Sequence, residues 1–225
     1  NWWSPGENGP CGPDSEMFYD MTGKLGELSK DDFLDAVKCE DIIEIWNDVF
    51  MEYEKRDGKV VGKLASKNVD TGAGLERISA VMQDKTTAYD TDIFEAIFAK
   101  IDEFSSAQLA LSSDQQTKAR RVVADHVRTA VFMIADGVVP SNTDRGYVLR
   151  RLLRRAVRYS DVLGFKHGSL SAVAEAVIEK FSSSYSNLAT ERDTIKKEID
   201  GEESKFRQTL EKGMKEFEKG TDPFV

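Results

Sequence analysis

The chain has 225 residues, and its 31 Lys plus Arg against 40 Asp plus Glu give a formal net charge of −9. An apolar content of 40% and a charged content of 32% are typical of a soluble globular protein with one large or two modest domains; no apolar run approaches the roughly 18 residues of a membrane helix. Two cysteines are too few for a disulfide framework and favour a cytoplasmic setting, while the acidic average argues against a nucleic-acid partner. The first residues contain neither an initiator Met nor a signal peptide, so we expect the chain to begin inside a longer protein.

The N-terminal third combines turn signals with strand signals. Gly and Pro pairs between residues 5 and 13 predict a stiff loop that leads into a strand at Met17–Tyr19. β-Branched and aromatic residues predict another strand over Ile42–Met51, and a further one follows the turn Asp57-Gly58. We therefore expect several antiparallel strands, followed by a helix that starts near Gly74, where the apolar residues recur at helical spacing.

The chain after Asp84 has the periodicity of helices throughout. The last of these carries a single apolar stripe on a highly charged segment. Helices are expected around 93–101, 119–135, 145–163 and 190–219, with a polar connector over 108–117.

The segment Val69–Arg77 combines a strand end, a glycine turn and a helix start with an acid and a base. Gly72 and Gly74 let a ligand approach the backbone and the helix N-terminus. Asp70 could hold an ammonium group through charge-assisted hydrogen bonds, and Arg77 could reach a phosphate or stack on a base. The alternative is an ordinary β-turn-α junction with a capping Asp and a surface Glu-Arg pair.

Two other segments have the residue types of a small-ligand site. Trp2-Trp3 precede the Gly-Pro segment, and a Trp can form the apolar wall of a pocket. Strand alternation would place Asn47 and Val49 on one face, where an amide lies beside a β-branched wall. Adjacent tryptophans in a core, and a half-buried strand, are the alternatives.

Six arginines follow one another on the helix predicted at 145–163 without an intervening acid. They are Arg145, Arg150, Arg151, Arg154, Arg155 and Arg158. Because like charges at helical spacing repel, we expect a compensating anion. Nucleic-acid phosphates fit arginine forks, and internal salt bridges to acidic neighbouring helices are the alternative. This stretch carries +6 and the rest of the chain −15, so the acidic average conceals a basic helix.

No metal site is indicated by the sequence. Cys11, Cys39, His126 and His167 are its only Cys and His residues, and none has the spacing of zinc ligands. The sequence also lacks a Ser-His-Asp set and a phosphate-loop lysine motif.

In their order along the chain, these segments resemble the alanyl-tRNA synthetases, a family of class II aminoacyl-tRNA synthetases. The resemblance rests on Asn1–Trp3, Gly9–Glu16, Glu44–Met51, Val69–Ile78, Arg121–Arg128, Ile134–Asn142 and Arg145–Ala156. It implies an α+β fold, in which part of a class II antiparallel sheet precedes an all-helical tRNA-recognition domain. The implied domains are residues 1–88, the C-terminal part of the catalytic domain, and residues 89–225, a truncated helical domain.

The resemblance also implies an activity for the intact protein. It would activate alanine with ATP to alanyl-adenylate and transfer the alanyl group to the 3′ end of tRNA(Ala). ATP and Mg²⁺ are the implied cofactors, the tRNA acceptor stem is the implied partner, and zinc is expected only in an editing domain that this chain lacks. Class II motifs 1 and 2 have no counterpart here, so we expect weak or no adenylation by this chain alone. A non-catalytic tRNA-binding module from the same family is the alternative.

Individual roles follow from the same resemblance. Asp70 would hold the α-ammonium of alanine, and the rest of the amino acid would be surrounded by Trp3, Asn47, Val49 and Gly72. ATP would be bound by Gly72, Gly74 and Arg77, which makes Asp70 and Arg77 the expected catalytic residues. The tRNA would be bound by Asn142, Arg145, Arg150, Arg151, Arg154 and Arg155, with Asn142 at the G·U pair of the acceptor stem. Asp14 stands where the family usually has a second cysteine, and Ala73 where Met is common.

Overall fold

The computed structural model describes residues 1–106 and 111–220, and the chain divides into two compact units at Ile93 and Phe94. The first unit contains a four-stranded antiparallel sheet, and the described residues of the second are organised by helices. The fold class is therefore α+β, as the sequence predicts. No helix within the described ranges is long and apolar enough to cross a membrane.

The sheet has strand order β1-β2-β3-β4. Its strands are β1 (Trp2–Trp3), β2 (Gly9–Asp20), β3 (Ile42–Arg56) and β4 (Lys59–Ala73), with helix α1 (Lys30–Lys38) between β2 and β3. The turn Asp57-Gly58 joins β3 to β4, and both of its residues have left-handed backbone angles, with φ of 48° and 77°. This conformation matches the twist of a β-hairpin, which explains why an Asp-Gly pair predicts a hairpin turn.

The stiff loop predicted between residues 5 and 13 is wrong from Gly9 onwards, because β2 already pairs with β3 there. Two local features of this strand lie around Pro13. The register shifts between Cys11 and Asp14, which relaxes the demand for ladder hydrogen bonds that Pro cannot donate. Gly12 also allows very close packing, since a Cβ at this position would lie 1.8 Å from the carbonyl oxygen of Phe50.

The predicted helices are present. After α2 (Leu75–Met82) and a 3₁₀ turn (Ala88–Asp90) come α3 (Asp92–Phe104), α4 (Ser113–Ala135), α5 (Asp144–Val162), α6 (Leu170–Phe181), α7 (Ser186–Thr190) and α8 (Arg192–Gly220). The connector expected over 108–117 is wrong from Ser113 onwards and lies outside the described residues at 108–110. Here Ser112 and Gln115 form a capping box, which satisfies the first amides of α4 and starts the helix early.

The core of the second unit is built from the apolar stripes of its helices. Val127 on α4, Leu153 on α5 and Ile195 on α8 are almost completely buried, and each such side chain contributes about 1.5–3 kcal/mol. Only the N-terminal part of the apolar stripe on α8 is buried in this core, because Met214 and Phe217 near its C-terminal end are exposed. The glycines that end α4 and α5, Gly137 and Gly164, have φ of 83° and 76°, as expected of helix stops.

Candidate functional site

Strand register brings four of the predicted alanine-site residues together on one face of the sheet. Val49 on β3 lies opposite Asp70 on β4, and Asn47 lies opposite Gly72. Directly paired residues share a face, and so do residues two apart in one strand. Asn47, Val49, Asp70 and Gly72 therefore form one contiguous patch, which we call the sheet patch.

The sheet patch is packed tightly where an amide meets a glycine. A Cβ on Gly72 would lie 3.2 Å from the amide oxygen of Asn47, closer than most side chains tolerate. Val49 is buried, whereas Asp70 is exposed at the rim of the sheet. The patch thus offers a β-branched floor, an amide and an accessible carboxylate.

Trp3 is not brought together with Asp70 by the strand pairing. It lies on β1 opposite Gly12, so β2 and β3 stand between it and β4. Three strand spacings correspond to roughly 14 Å between the two backbones. The predicted contribution of Trp3 to the amino-acid site remains a prediction.

A β-bulge adds Glu44 to this face. Phe18 pairs with Glu44 and Met17 with Trp46, so Ile45 is an extra residue in β3. Simple alternation would place Glu44 and Asn47, three residues apart, on opposite faces; the bulge reverses this. The amide Nδ2 of Asn47 consequently donates to Glu44 Oε1 at 3.1 Å.

Arg77 joins the same group of residues from the first turn of α2. Its Nη1 donates to the carbonyl oxygen of Glu44 at 2.9 Å and lies 3.5 Å from the Glu44 carboxylate. Gly74 precedes α2, and a Cβ at this position would lie only 3.2 Å from Cδ of Arg77. A glycine at this position therefore leaves room for the Arg77 side chain. About half of the Arg77 side chain stays exposed, and it can meet an anionic ligand beside the sheet patch.

The face that carries the sheet patch is rich in carboxylates. Asp14 and Glu16 on β2 lie opposite Val49 and Asn47, on the side away from β4. Removal from water, together with the carboxylates of Glu44 and Asp14, raises the pKa of Glu16. The electrostatics of this face therefore favour a cationic group such as an ammonium.

Sequence reasoning did not assign Glu16 or Glu44 to the site. Both residues lie in segments that carry the family resemblance, Gly9–Glu16 and Glu44–Met51. The position of Glu16 opposite Asn47 is defined only by the pairing of β2 with β3. Among the residues that the structure describes, no group of three or more His, Cys, Asp or Glu side chains is arranged to hold a metal ion.

The arginine helix α5 divides into two sets of side chains. Arg154 Nε donates to Glu202 Oε1 on α8 at 2.7 Å, and Arg150 Nε lies 3.4 Å from the same oxygen. Only 2% of the Glu202 side chain is exposed. For Arg150 and Arg154, the internal salt bridge considered from the sequence is therefore what the structure contains.

The second set consists of the arginines that do not pair with Glu202, and all of them are exposed, Arg158 included. Arg151 lies over the ring of Tyr147, with 5.6 Å to its centroid, and Arg155 lies over Tyr159 at 5.7 Å. Arg145 is exposed as well. Within residues 1–106 and 111–220 no acid pairs with these three arginines, so their charges are available to an external anion.

Asn142 lies in the loop that precedes α5 and is exposed. Arg150 Nη1 donates to its amide oxygen, and Arg150 Nη2 lies 3.5 Å from the carbonyl oxygen of Pro140. The loop is closed by Ser141, whose backbone amide donates to the Gly146 carbonyl at 3.0 Å. Asn142 is thus held at the start of the arginine helix.

A family model for class II (A) tRNA synthetases matches residues 1–223. The chain belongs to that family.

The relatives it resembles are alanine–tRNA ligases. The protein from Borreliella afzelii is 42% identical over 224 residues, which cover 98% of this chain and 37% of the relative. The protein from Pseudoalteromonas translucida is 41% identical over 219 residues, 95% of this chain and 24% of the relative. The protein from Caldicellulosiruptor saccharolyticus is 40% identical over 222 residues, 99% of this chain and 25% of the relative. The chain thus spans 24% to 37% of the length of these relatives.

Proposed function

We propose that this chain is part of an alanine–tRNA ligase, in which it contributes to alanine activation and to tRNA binding. The observation that carries the proposal is the identity of 40% to 42% with alanine–tRNA ligases over 95% to 99% of the chain. The sheet patch, Arg77 and the exposed arginines of α5 supply residues suited to each step. The free state of Cys11 and Cys39 fits the reducing cytoplasm in which this reaction would take place.

In the first proposed role, the sheet patch binds alanine. Asp70 accepts hydrogen bonds from the α-ammonium group, and the surplus of carboxylates on this face attracts that group. Val49 lies beneath the methyl side chain, and Asn47 with Gly72 limits the space available to a larger one. Holding alanine by its ammonium leaves its carboxylate free to react.

In the second proposed role, Arg77 and the glycines beside it bind ATP, which enters with Mg²⁺. The alanine carboxylate attacks the α-phosphorus, the bond to the β-phosphate oxygen breaks, and pyrophosphate leaves. The terminal ribose hydroxyl of tRNA then attacks the alanyl carbonyl and releases AMP. Such a reaction depends on positioning and on charge neutralisation, which a guanidinium beside the phosphates supplies.

In the third proposed role, the second unit binds the acceptor stem of tRNA(Ala). Arg145, Arg151 and Arg155 contact phosphates, because their guanidinium groups are exposed and have no acidic partner in the described part of the chain. Asn142 contacts base edges. Of the five arginines that the resemblance implies for tRNA binding, Arg150 and Arg154 already pair with Glu202, so this role is proposed for Arg145, Arg151 and Arg155 alone.

The alanine site is tested by Asp70→Asn in the protein that carries this chain. Losing the carboxylate weakens one charge-assisted interaction, so we expect the KM for alanine in pyrophosphate exchange to rise at least tenfold, the equivalent of about 1.4 kcal/mol. Asp48→Asn is a matched control, because Asp48 pairs with Thr71 and lies on the opposite face of the same strands. An unchanged alanine KM in Asp70→Asn would remove Asp70 from the ammonium role.

The tRNA face is tested by reversing the charge of Arg151 and Arg155. The double variant Arg151→Glu, Arg155→Glu should weaken tRNA binding and reduce the slope of log affinity against log salt by roughly 1 or more. Alanine-dependent pyrophosphate exchange should not change. Equal tRNA affinity and equal salt slope in the variant and the parent protein would contradict a phosphate-binding role for this face.

A further inference from the structure

Glu202 is a buried carboxylate on α8 that faces the basic helix α5. Only 2% of its side chain is exposed, and its Oε1 accepts a hydrogen bond from Arg154 and lies 3.4 Å from Arg150 Nε. A buried carboxylate is tolerated only when it is paired, and two arginines four residues apart repel unless an anion lies between them. Glu202 and the two guanidinium groups therefore hold one another in place.

The position of Arg150 has a consequence at the protein surface. Its Nε lies within ion-pair distance of Glu202, and the rigid planar guanidinium carries both terminal nitrogens to the loop before α5. One of these donates to the amide oxygen of Asn142, and the other approaches the carbonyl oxygen of Pro140. A buried charge on α8 is thus connected through one side chain to an exposed amide before α5.

This connection decides which end of the Asn142 amide is available. Arginine can only donate hydrogen bonds, so the amide group facing Arg150 must be the oxygen. The Nδ2 group then remains as a donor of two hydrogen bonds on an exposed residue. The shallow minor groove of an RNA helix presents base-edge acceptors and 2′-hydroxyl groups, which match such a donor.

We propose that Glu202 is a positioning residue for tRNA recognition, and that it acts through Arg150 to present the Asn142 amide as a hydrogen-bond donor. This inference rests on the proposed role of Asn142 in tRNA binding. It assigns Arg150 to the support of the recognition residue and not to a phosphate. Arg154 completes the charge balance at Glu202, and its guanidinium lies over the Phe206 ring with 5.2 Å to the centroid.

The test compares Glu202→Gln with Glu203→Gln in the protein that carries this chain. Glu203 is the adjacent residue and is equally buried, but its carboxylate pairs with Arg207 and accepts from the Gly168 amide. We expect Glu202→Gln to weaken binding of a tRNA(Ala) transcript roughly tenfold, while Glu203→Gln keeps the affinity of the parent protein. Alanine-dependent pyrophosphate exchange should be unchanged in both variants.

Two further variants separate positioning from a loss of folding. Arg150→Lys keeps the positive charge beside Glu202 but removes the fork, so it should also weaken tRNA binding. If Glu202 acts through Asn142, the double variant Glu202→Gln, Asn142→Ala should bind no more weakly than Asn142→Ala. Thermal unfolding of each variant shows whether it is folded at the assay temperature.

The possible results distinguish this inference from the function on which it rests. Unchanged tRNA affinity in Asn142→Ala would overturn the role of Asn142 and this inference with it. A loss in Asn142→Ala with no loss in Glu202→Gln or Arg150→Lys would overturn the positioning role alone. Fully additive losses in the double variant, or an equal loss in Glu203→Gln, would also overturn the positioning role, because they indicate a general effect on α8.

Discussion

Because β2 approaches β3 closely at Gly12, we expect substitution of this glycine to destabilise the sheet that carries the candidate site. In Gly12→Ala, the new Cβ would lie 1.8 Å from the carbonyl oxygen of Phe50 and 2.8 Å from its carbonyl carbon. Real Cβ contacts almost never fall below 3.0 Å, so the strands must separate by more than 1 Å. No side-chain rotation can relieve this contact, because the opposing atoms belong to the backbone.

The loss of stability can be derived from the interactions that this separation of the strands would weaken. Moving β2 away from β3 weakens the neighbouring backbone hydrogen bonds, each worth about 1 kcal/mol, and opens the packing around the fully buried Cys11. About two such hydrogen bonds together with about 1 kcal/mol for this packing give an expected decrease of about 3 kcal/mol in the free energy of unfolding for Gly12→Ala. With a denaturant slope near 1.5 kcal/mol/M in urea, the midpoint should fall by about 2 M.

The assay is urea unfolding of the 225-residue chain followed by tryptophan fluorescence. All three tryptophans, Trp2, Trp3 and Trp46, lie in the first unit, so the signal reports on the sheet. Gly62→Ala is the matched control, since Gly62 lies on β4 and a Cβ there meets no atom within 4 Å. If the unfolding free energies of Gly12→Ala and Gly62→Ala agreed within about 0.5 kcal/mol, the reasoning would be refuted.

Two pH-dependent effects follow from the shifted pKa values. The pKa of Glu16 is raised above 4.5 by removal from water and nearby acids, so the folded state holds a proton that the unfolded state has lost; stability should fall as pH rises through this window. Between pH 4 and 7, the urea midpoint of Glu16→Gln should therefore rise relative to that of the parent chain as the pH increases. The pKa of Asp125 is lowered below 3.8, chiefly by a hydrogen bond from His126. Its stabilisation is present above pH 3.8 and lost on acidification, so thermal unfolding should show Asp125→Asn less stable than the parent chain at pH 7, with the gap closing below about pH 3.8. A gap independent of pH would count against the stabilising hydrogen bond from His126.

Local patterns in the sequence predicted most of the secondary structure. The Asp-Gly turn defines the hairpin between β3 and β4, and the glycines after α4 and α5 end those helices. The loop predicted for the Gly-Pro segment is wrong because turn propensity is a local property, whereas the pairing of this segment depends on a distant strand. The start of α4 was misread because a polar composition hid a capping box.

For the candidate site, the sequence by itself determined the residue types and the family that they resemble. Only the tertiary structure decided how those residues are combined. Alternation separates Glu44 from Asn47, and a bulge at Ile45 joins them, because register depends on the partner strand. The six arginines of α5 look equivalent in sequence, yet Glu202, 48 residues beyond Arg154, pairs with two of them and leaves the others exposed. Charge pairs between distant helices have no local periodicity, so packing alone assigns their partners.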